Sequence, residues 1–216
     1  MGTKVGRAVI FGSAPCADWS FLRGRLGEGD LVICADGGLQ RARAAGLTPD
    51  AAVGDWDSGG SPQPGVACIS LPAEKDMTDL QAAVDLAVER GCGQLLLCAC
   101  TGGPRLDHTA SNLALLEYIA DRGADGLLLD PDNEVRLLGP GTLVLDEARA
   151  YHYFSLIPLD RQVTGVTLRG VKYPLNHATL TRGSTFSVSN EPLARTVAIT
   201  LETGRALLIR SQRTGE

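Results

Sequence analysis

Between Ala8 and Asp130 short apolar runs alternate with longer stretches in which apolar residues recur at three and four positions. That is the pattern of an α/β domain built on a mainly parallel sheet. The runs Ala8 to Phe11, Leu31 to Ala35, Ala51 to Val53, Ala67 to Leu71, Gln94 to Ala99 and Gly126 to Asp130 predict its strands. One helix is predicted from Leu80, Ala83, Val84, Ala87 and Val88, with Thr78 as N-cap and Gly91 as stop. A second spans about Thr109 to Arg122, carries Leu113, Leu116 and Ile119 on one face, and ends at Gly123. Trp19 reads as packing around a first helix.

After Pro140 the helical period disappears, and short runs rich in Val, Thr, Leu and Phe are separated by Gly, Pro and Asn. Tyr151 to Ile157, Val163 to Leu168, Thr185 to Val188, Thr196 to Leu201 and Arg205 to Ile209 predict strands, with Glu202-Thr203-Gly204 as a hairpin turn. The expected organisation is an α/β domain over residues 1–139 and an all-β sandwich or barrel over 140–216, hinged at Leu138 to Gly141. No internal repeat is visible.

Composition bounds the partners. A 44% hydrophobic, 21% charged chain of 216 residues folds around an ordinary core. The net charge of -5, with its 20 basic residues scattered, argues against a nucleic-acid surface. Met1 to Pro15 lacks a charged segment followed by an apolar one, and no apolar run approaches membrane-spanning length, so a cytoplasmic protein is expected. The six cysteines form no C-x-x-C pair and mostly lie in apolar runs, which reads as buried reduced thiols. Cys98-x-Cys100 has no second pair with which to ligate zinc.

The chemistry concentrates where predicted strands end. Gly54-Asp55-Trp56-Asp57-Ser58 puts two carboxylates two residues apart, on the same side of an extended backbone. Two such charges at about 5 Å repel by roughly 3 kcal/mol at an effective dielectric near 20. A hard divalent ion such as Mg²⁺, a proton or a basic group relieves that repulsion; a turn capped by Asp57 and Ser58 is the plainer alternative.

Ala35-Asp36-Gly37-Gly38 and Thr101-Gly102-Gly103-Pro104-Arg105-Leu106-Asp107-His108 follow two other strands. In open α/β sheets these ends converge on the ligand crevice. Lys75-Asp76-Met77-Thr78-Asp79 enters the Leu80 helix, where free N–H groups and the dipole favour phosphate. The Gly-Gly pairs suit close backbone approach to a ligand, or simple left-handed turns. No P-loop or dinucleotide fingerprint occurs, so phosphate would rest on carboxylate-bound Mg²⁺, helix N-termini and Arg105, whose planar fork suits it.

The ordered set ADGG, GDWDS, KDMTDLQ and TGG-P-RLDH resembles the thiamine pyrophosphokinases. The second half is similar to the β-domain of bacterial members at Tyr153 to Pro158, Gly165 to Leu168, Lys172 to Leu175, Gly183 to Thr185 and Ser189 to Glu191. The resemblance implies a homodimeric, Mg²⁺-dependent enzyme that transfers the pyrophosphoryl group of ATP to the hydroxyl of thiamine, giving thiamine diphosphate and AMP. It implies Asp55, Asp57 and Asp79 as metal ligands and, with Arg105, as catalytic residues. Asp36, Gly37, Gly38, Lys75, Asp76, Thr78, Gly102, Gly103, Asp107 and His108 would bind the nucleotide side.

Ser187, Ser189 and Asn190 would face thiamine, from the domain that also forms the dimer, toward the α/β domain of the other subunit. Trp56 stands where the family has Phe, and Pro104 is inserted into what is normally GGRLDH, which bears on the aim of Arg105. Asp57 or Asp79 is the candidate acceptor of the hydroxyl proton. His108 reads as a helix-start or supporting group, and His152 and His177 as structural or exposed. Two rivals stand beside this reading: an aspartyl-nucleophile phosphohydrolase, whose Asp-x-Asp normally follows the first strand rather than the third, and a non-catalytic nucleotide or thiamine sensor.

Overall fold

The computed structural model describes residues 6–55, 65–72, 74, 76–146 and 148–213. Trp56, Asp57, Ser58 and Lys75 lie outside that set. The chain divides into two compact units, Met1–Pro131 and Asp132–Glu216.

The first unit runs β1 (Gly6–Phe11), β2 (Leu31–Ala35), α1 (Gly38–Ala44), β3 (Ala51–Gly54), β4 (Ala67–Ser70), α2 (Asp79–Glu89), β5 (Cys92–Cys98), α3 (Leu106–Asp121) and β6 (Asp125–Leu129). The strands pair in parallel in the order β4-β3-β2-β1-β5-β6. Central strands are apolar on both faces, as a parallel sheet covered on both sides requires: Ala8, Val9, Ile10 and Phe11 are all fully buried.

Val9 and Phe11 join Cys34, Leu39, Ala42 and Leu96 in one cluster. Within it the Phe11 ring meets Trp19 at 5.6 Å, and Trp19 leads into a short turn of 3-10 helix, Ser20–Leu22, in place of a first α-helix. Burying such a side chain stabilises by about 1.5–3 kcal/mol. The apolar stripe Leu80, Ala83, Val84 and Ala87 is buried as α2 packs on β1, β2, β3 and β5.

α2 forms where its pattern predicts. Thr78 caps it, its hydroxyl accepting from the Gln81 N–H at 3.2 Å. α3 begins at Leu106, a turn before the expected Thr109, so Asp107 and His108 belong to its first turn. α1 was not expected; it has only seven residues. Among the described residues no helix is long and apolar enough to cross a membrane.

The second unit runs β7 (Asn133–Leu138), β8 (Gly141–Leu145), β9 (Tyr153–Pro158), β10 (Gln162–Arg169), β11 (Leu175–Thr181), β12 (Val197–Leu201) and β13 (Ala206–Ser211). β13 pairs antiparallel with β7 and β9, and a second antiparallel sheet has the order β11-β10-β12-β8. Alternate residues of β9, Phe154, Leu156 and Pro158, are buried, the period of a strand with one covered face. Both sheets contribute to one core, with Leu138, Leu156 and Leu208 from the first and Leu145, Val166 and Ile199 from the second, which makes the unit a sandwich.

Three expectations change here. β7 pairs with β13 over its whole length, so the units divide at Pro131/Asp132 rather than at the expected hinge, which falls between β7 and β8. Thr185 to Val188 is not a strand: its backbone closes turns, with Ser184 N–H bonded to Thr181 O and Val188 N–H to Thr185 O. Glu202 to Gly204 is not a hairpin turn, because β12 and β13 lie in different sheets and the segment carries the chain between them. His152 is half-buried and packs edge-on against Tyr153, whereas His177 is exposed, 2.8 Å from Glu202.

Candidate active site

The strand order of the first unit reverses at β1, whose neighbours are β2 and β5. Loops leaving β1 and β5 therefore diverge at their carboxyl ends and open a crevice. A cavity of about 470 Å³ lies there, within the ~300–1,000 Å³ span of small-molecule sites. Its lining brings together Asp36 after β2, Met77 to Leu80 at the start of α2, Gly102 to Arg105 after β5, and His108 and Asn112 from α3. Motifs up to about seventy residues apart in the chain thus meet because parallel strands place their ends side by side.

Each loop has a local reason for its shape. In the ADGG segment the left-handed residue is Asp36 (φ 47°), and Gly37 is ordinary at φ −59°; aspartate tolerates that region better than most side chains. Gly38 has a different constraint: a Cβ there would collide with the carbonyl oxygen of Phe11, so only glycine lets α1 start against the end of β1.

The Asp36 N–H donates to the Val53 carbonyl at 2.9 Å. A Cβ on Gly54 would lie 3.4 Å from Asp36 Cα, so Asp36 and the half-buried Asp55 stand on adjacent strand ends. After β5 the chain turns through Ala99 (φ 53°), Gly102 (φ 82°) and Gly103 (φ 77°).

Arg105 is the N-cap residue of α3 and makes no side-chain cap bond. Its guanidinium instead forks onto Asp107, with Nε to Oδ1 at 2.9 Å and Nη2 to Oδ2 at 2.7 Å. The hydrogen bonds from Arg105 hold the Asp107 carboxyl down at about 2. Both side chains are about two-thirds exposed, so the fork is a surface pair. The thiols near the site point the other way: burial pushes Cys100 up to about 12 and Cys98 well above its ordinary value, which makes both poor nucleophiles.

Of the residues expected at the site, Asp36, Thr78, Asp79, Gly102, Gly103, Arg105 and His108 line the cavity. Asp55 ends β3 next to Asp36, while Asp76 and Asp107 are exposed outside the lining. Asp57 and Lys75 fall outside the described residues. Among the described residues no group of three acidic, His or Cys side chains is close enough to hold a metal on its own.

Ser187, Ser189 and Asn190 belong to the second unit, and much of their bonding capacity is used there. The Ser187 hydroxyl donates to the Leu156 carbonyl at 2.6 Å. The buried Asn190 side chain accepts from the N–H groups of Tyr173 and Glu191 and donates to the Tyr173 carbonyl at 2.8 Å. Ser189 has φ 60°, and its N–H donates to the Ser155 hydroxyl at 3.0 Å.

Sequence reasoning missed the loop Gly12-Ser13-Ala14-Pro15, which lines the cavity from the end of β1, and missed Asn112. The loop had a readable signal, since Gly, Ser and Pro directly follow a predicted strand. Asn112 had none; its position on the buried face of α3 emerges only once the helix packs.

Residues 24–127 match the family model described as thiamin pyrophosphokinase, catalytic domain, and residues 142–208 the one described as thiamin pyrophosphokinase, vitamin B1 binding domain. The chain is 33% identical over 196 residues to the thiamine pyrophosphokinase of Bacillus subtilis, covering 88% of this chain and 91% of that one. A crystal structure of the Bacillus subtilis thiamine pyrophosphokinase superposes with a TM-score of 0.87 at 29% identity, over 96% of this chain and all (100%) of the other. The enzyme of that name from Geobacillus thermodenitrificans gives 0.83 at 34% identity, over 97% and 99%. With both family models matched in order, and a relative of that identity covering nearly the whole chain, this protein belongs to the thiamine pyrophosphokinase family.

Proposed function

We propose that the protein transfers the pyrophosphoryl group of ATP to the hydroxyl of thiamine, giving thiamine diphosphate and AMP. The observation that carries this reading is the single cavity at the β1/β5 switch point, in which Asp36, Asp79, the start of α2 and the Gly102-Gly103 turn converge in a chain of this family. The thiamine hydroxyl oxygen attacks the β-phosphorus, the bond from that phosphorus to the α–β bridging oxygen breaks, and AMP leaves with the bridging oxygen. The hydroxyl proton passes to a carboxylate of the aspartate cluster, Asp57 or Asp79.

The residues present fit Mg²⁺. Asp55 after β3 and Asp79 at the start of α2 offer hard carboxylate oxygens, and among the described residues no three such side chains close a cage, as suits an ion held by one or two carboxylates together with substrate phosphates. Asp55, Asp57 and Asp79 would hold it, and when bound it would neutralise charge that builds on the transferring phosphates. The chain's own groups do the rest. The dipole at the start of α2 favours phosphate beside Thr78 and Asp79. The left-handed turn at Gly102 and Gly103 brings backbone to the nucleotide side, alongside Asp36, Gly37, Gly38 and His108.

Asp76 precedes the entry to α2, with Lys75 beside it in the sequence but outside the described residues, and Arg105 reaches phosphate by exchanging the Asp107 carboxylate for it. Net negative charge attracts the cationic thiazolium of thiamine.

The β unit is the thiamine-binding and dimerisation domain of a cytoplasmic homodimer. Large apolar side chains exposed between Tyr173 and Leu193, among them Phe186 and Val188, support a covered face there. Six free cysteines suit a reducing compartment. The test is direct: purified protein with thiamine, ATP and Mg²⁺ should form AMP and thiamine diphosphate in equal amounts by chromatography. Thiamine monophosphate with ADP, or ATP hydrolysis that ignores thiamine, would overturn the reading.

A further inference from the structure

The turn that leaves β5 forms a wall of the cavity, and its shape is held by bonds from outside its own backbone. Ala99 is left-handed at φ 53°, a conformation that L-residues disfavour and that persists only where the surroundings over-determine it. Two α3 side chains supply that restraint. The Asn112 amide nitrogen donates to the Cys100 carbonyl at 2.8 Å in a buried bond. The Thr109 hydroxyl accepts from the Gly102 N–H at 3.1 Å. Three positions apart on a helix, the two residues share one face.

From the other side the Ala14 N–H donates to the Ala99 carbonyl at 2.9 Å, and the Thr101 hydroxyl donates to Asp130 at 2.7 Å. Asn112 is itself 9% exposed and lines the cavity.

We infer that the Thr109–Asn112 face of α3 is a latch that holds the turn after β5 in its nucleotide-accepting shape, making both residues positioning residues for ATP. The inference rests on the reading of this cavity as the nucleotide site. Neither residue need touch the reacting atoms. The latch fixes where the Gly102 and Gly103 backbone stands and ties it to the helix that begins with Arg105, so its loss weakens ATP binding while leaving thiamine recognition intact.

The experiment compares Thr109→Val, which removes the acceptor at nearly unchanged shape, with Thr109→Ser, which keeps it, and adds Asn112→Leu, which removes the donor. Thr109→Val should raise the KM for ATP about threefold to tenfold, the scale of one hydrogen bond. Thr109→Ser should stay within about twofold of the parent. Asn112→Leu should cost about tenfold or more, because a buried carbonyl loses its partner. The KM for thiamine should stay within about twofold throughout, and calorimetric ATP affinity should follow the ATP KM.

If folded Thr109→Val keeps the parental ATP KM, or if both KM values rise together with a fall in melting temperature, the latch is only structural and the inference is overturned. Should Asn112→Leu not fold, the Thr109 pair decides alone. A parent protein that makes no thiamine diphosphate overturns the function reading itself, whereas an active parent with indifferent variants overturns the latch alone.

Discussion

The two units handle their polar groups in opposite ways. In the α/β unit the carboxylates after β2 and β3 and at the start of α2 stand at or beside a cavity: Asp36 and Asp79 line it and Asp55 adjoins Asp36. In the β unit Asn190, Ser187, Glu134 and Arg210 are turned onto the protein's own backbone and one another. Asn190 holds the Tyr173 peptide on both sides, Ser187 holds Leu156, and Glu134 pairs with Arg210 at 2.9 Å with side chains only 7% and 10% exposed. The Arg210 guanidinium also lies over the Tyr151 ring at 4.4 Å. A residue type therefore does not announce its role. Carboxylates near the ends of parallel strands border a cavity, whereas an amide on a turn beside a sandwich edge serves the fold.

The sharpest way to break this contrast is at the buried pair. Glu134→Ala strips Arg210 of its carboxylate inside the β unit and should cost about 3–5 kcal/mol of stability, measured by denaturant unfolding. The pair Glu134→Leu with Arg210→Met should recover most of it, since an apolar replacement leaves no unpaired charge. A single variant as stable as the parent would mean the pair is not part of the framework.

The next effect falls on activity with the fold intact. Asp57→Asn and Asp79→Asn should each lower kcat/KM on the order of 10²-fold or more, because a neutral amide is a poor ligand for a hard cation and cannot offset its charge. Melting temperatures should stay near the parental value. More than about half the activity remaining at saturating Mg²⁺ would make the aspartates turn residues.

A smaller effect discriminates between roles for Asn190. Asn190→Ala orphans two N–H groups and a carbonyl in the β unit, so a loss of about 1–3 kcal/mol of stability is expected. If the melting temperature is unchanged while the KM for thiamine rises, the amide is spent on substrate and the contrast between the units fails.

The smallest effect is at the exposed fork. Asp107 titrates at about 2 rather than its ordinary 3.8, so whatever the fork contributes is present above pH 3.8 and is lost as pH falls through about 2. A carboxyl NMR titration with its midpoint near 3.8 would show that the fork does not form in solution.

Much of the α/β unit was legible because its signals are local. The Thr78 cap, the apolar period of α2 and the apolar strand runs sit within a few residues of what they specify. The β unit was harder. β7 hides behind Glu134, whose burial depends on Arg210, 76 residues away. β11 is an edge strand of its sheet with only Leu180 buried, so it has almost no period to read.

The candidate site divides the same way. Motifs at strand ends pointed to Asp36 and Gly102-Gly103, and the helix-entry motif to Asp79, because chain order and parallel pairing already fix where those ends lie. Asn112, and the inward turn of Asn190, depend on backbone partners distant in sequence: Cys100 is 12 residues from the first and Tyr173 is 17 from the second.

In the proposed reaction the α/β cavity passes a pyrophosphoryl group, not a single phosphoryl, to thiamine. ATP labelled with ³²P at the β-phosphorus tests it most directly. With thiamine and Mg²⁺ the label should leave the nucleotide and appear in thiamine diphosphate, in step with unlabelled AMP. Label that stays in ADP while thiamine monophosphate forms, or that appears as free phosphate or pyrophosphate whether or not thiamine is present, would contradict it.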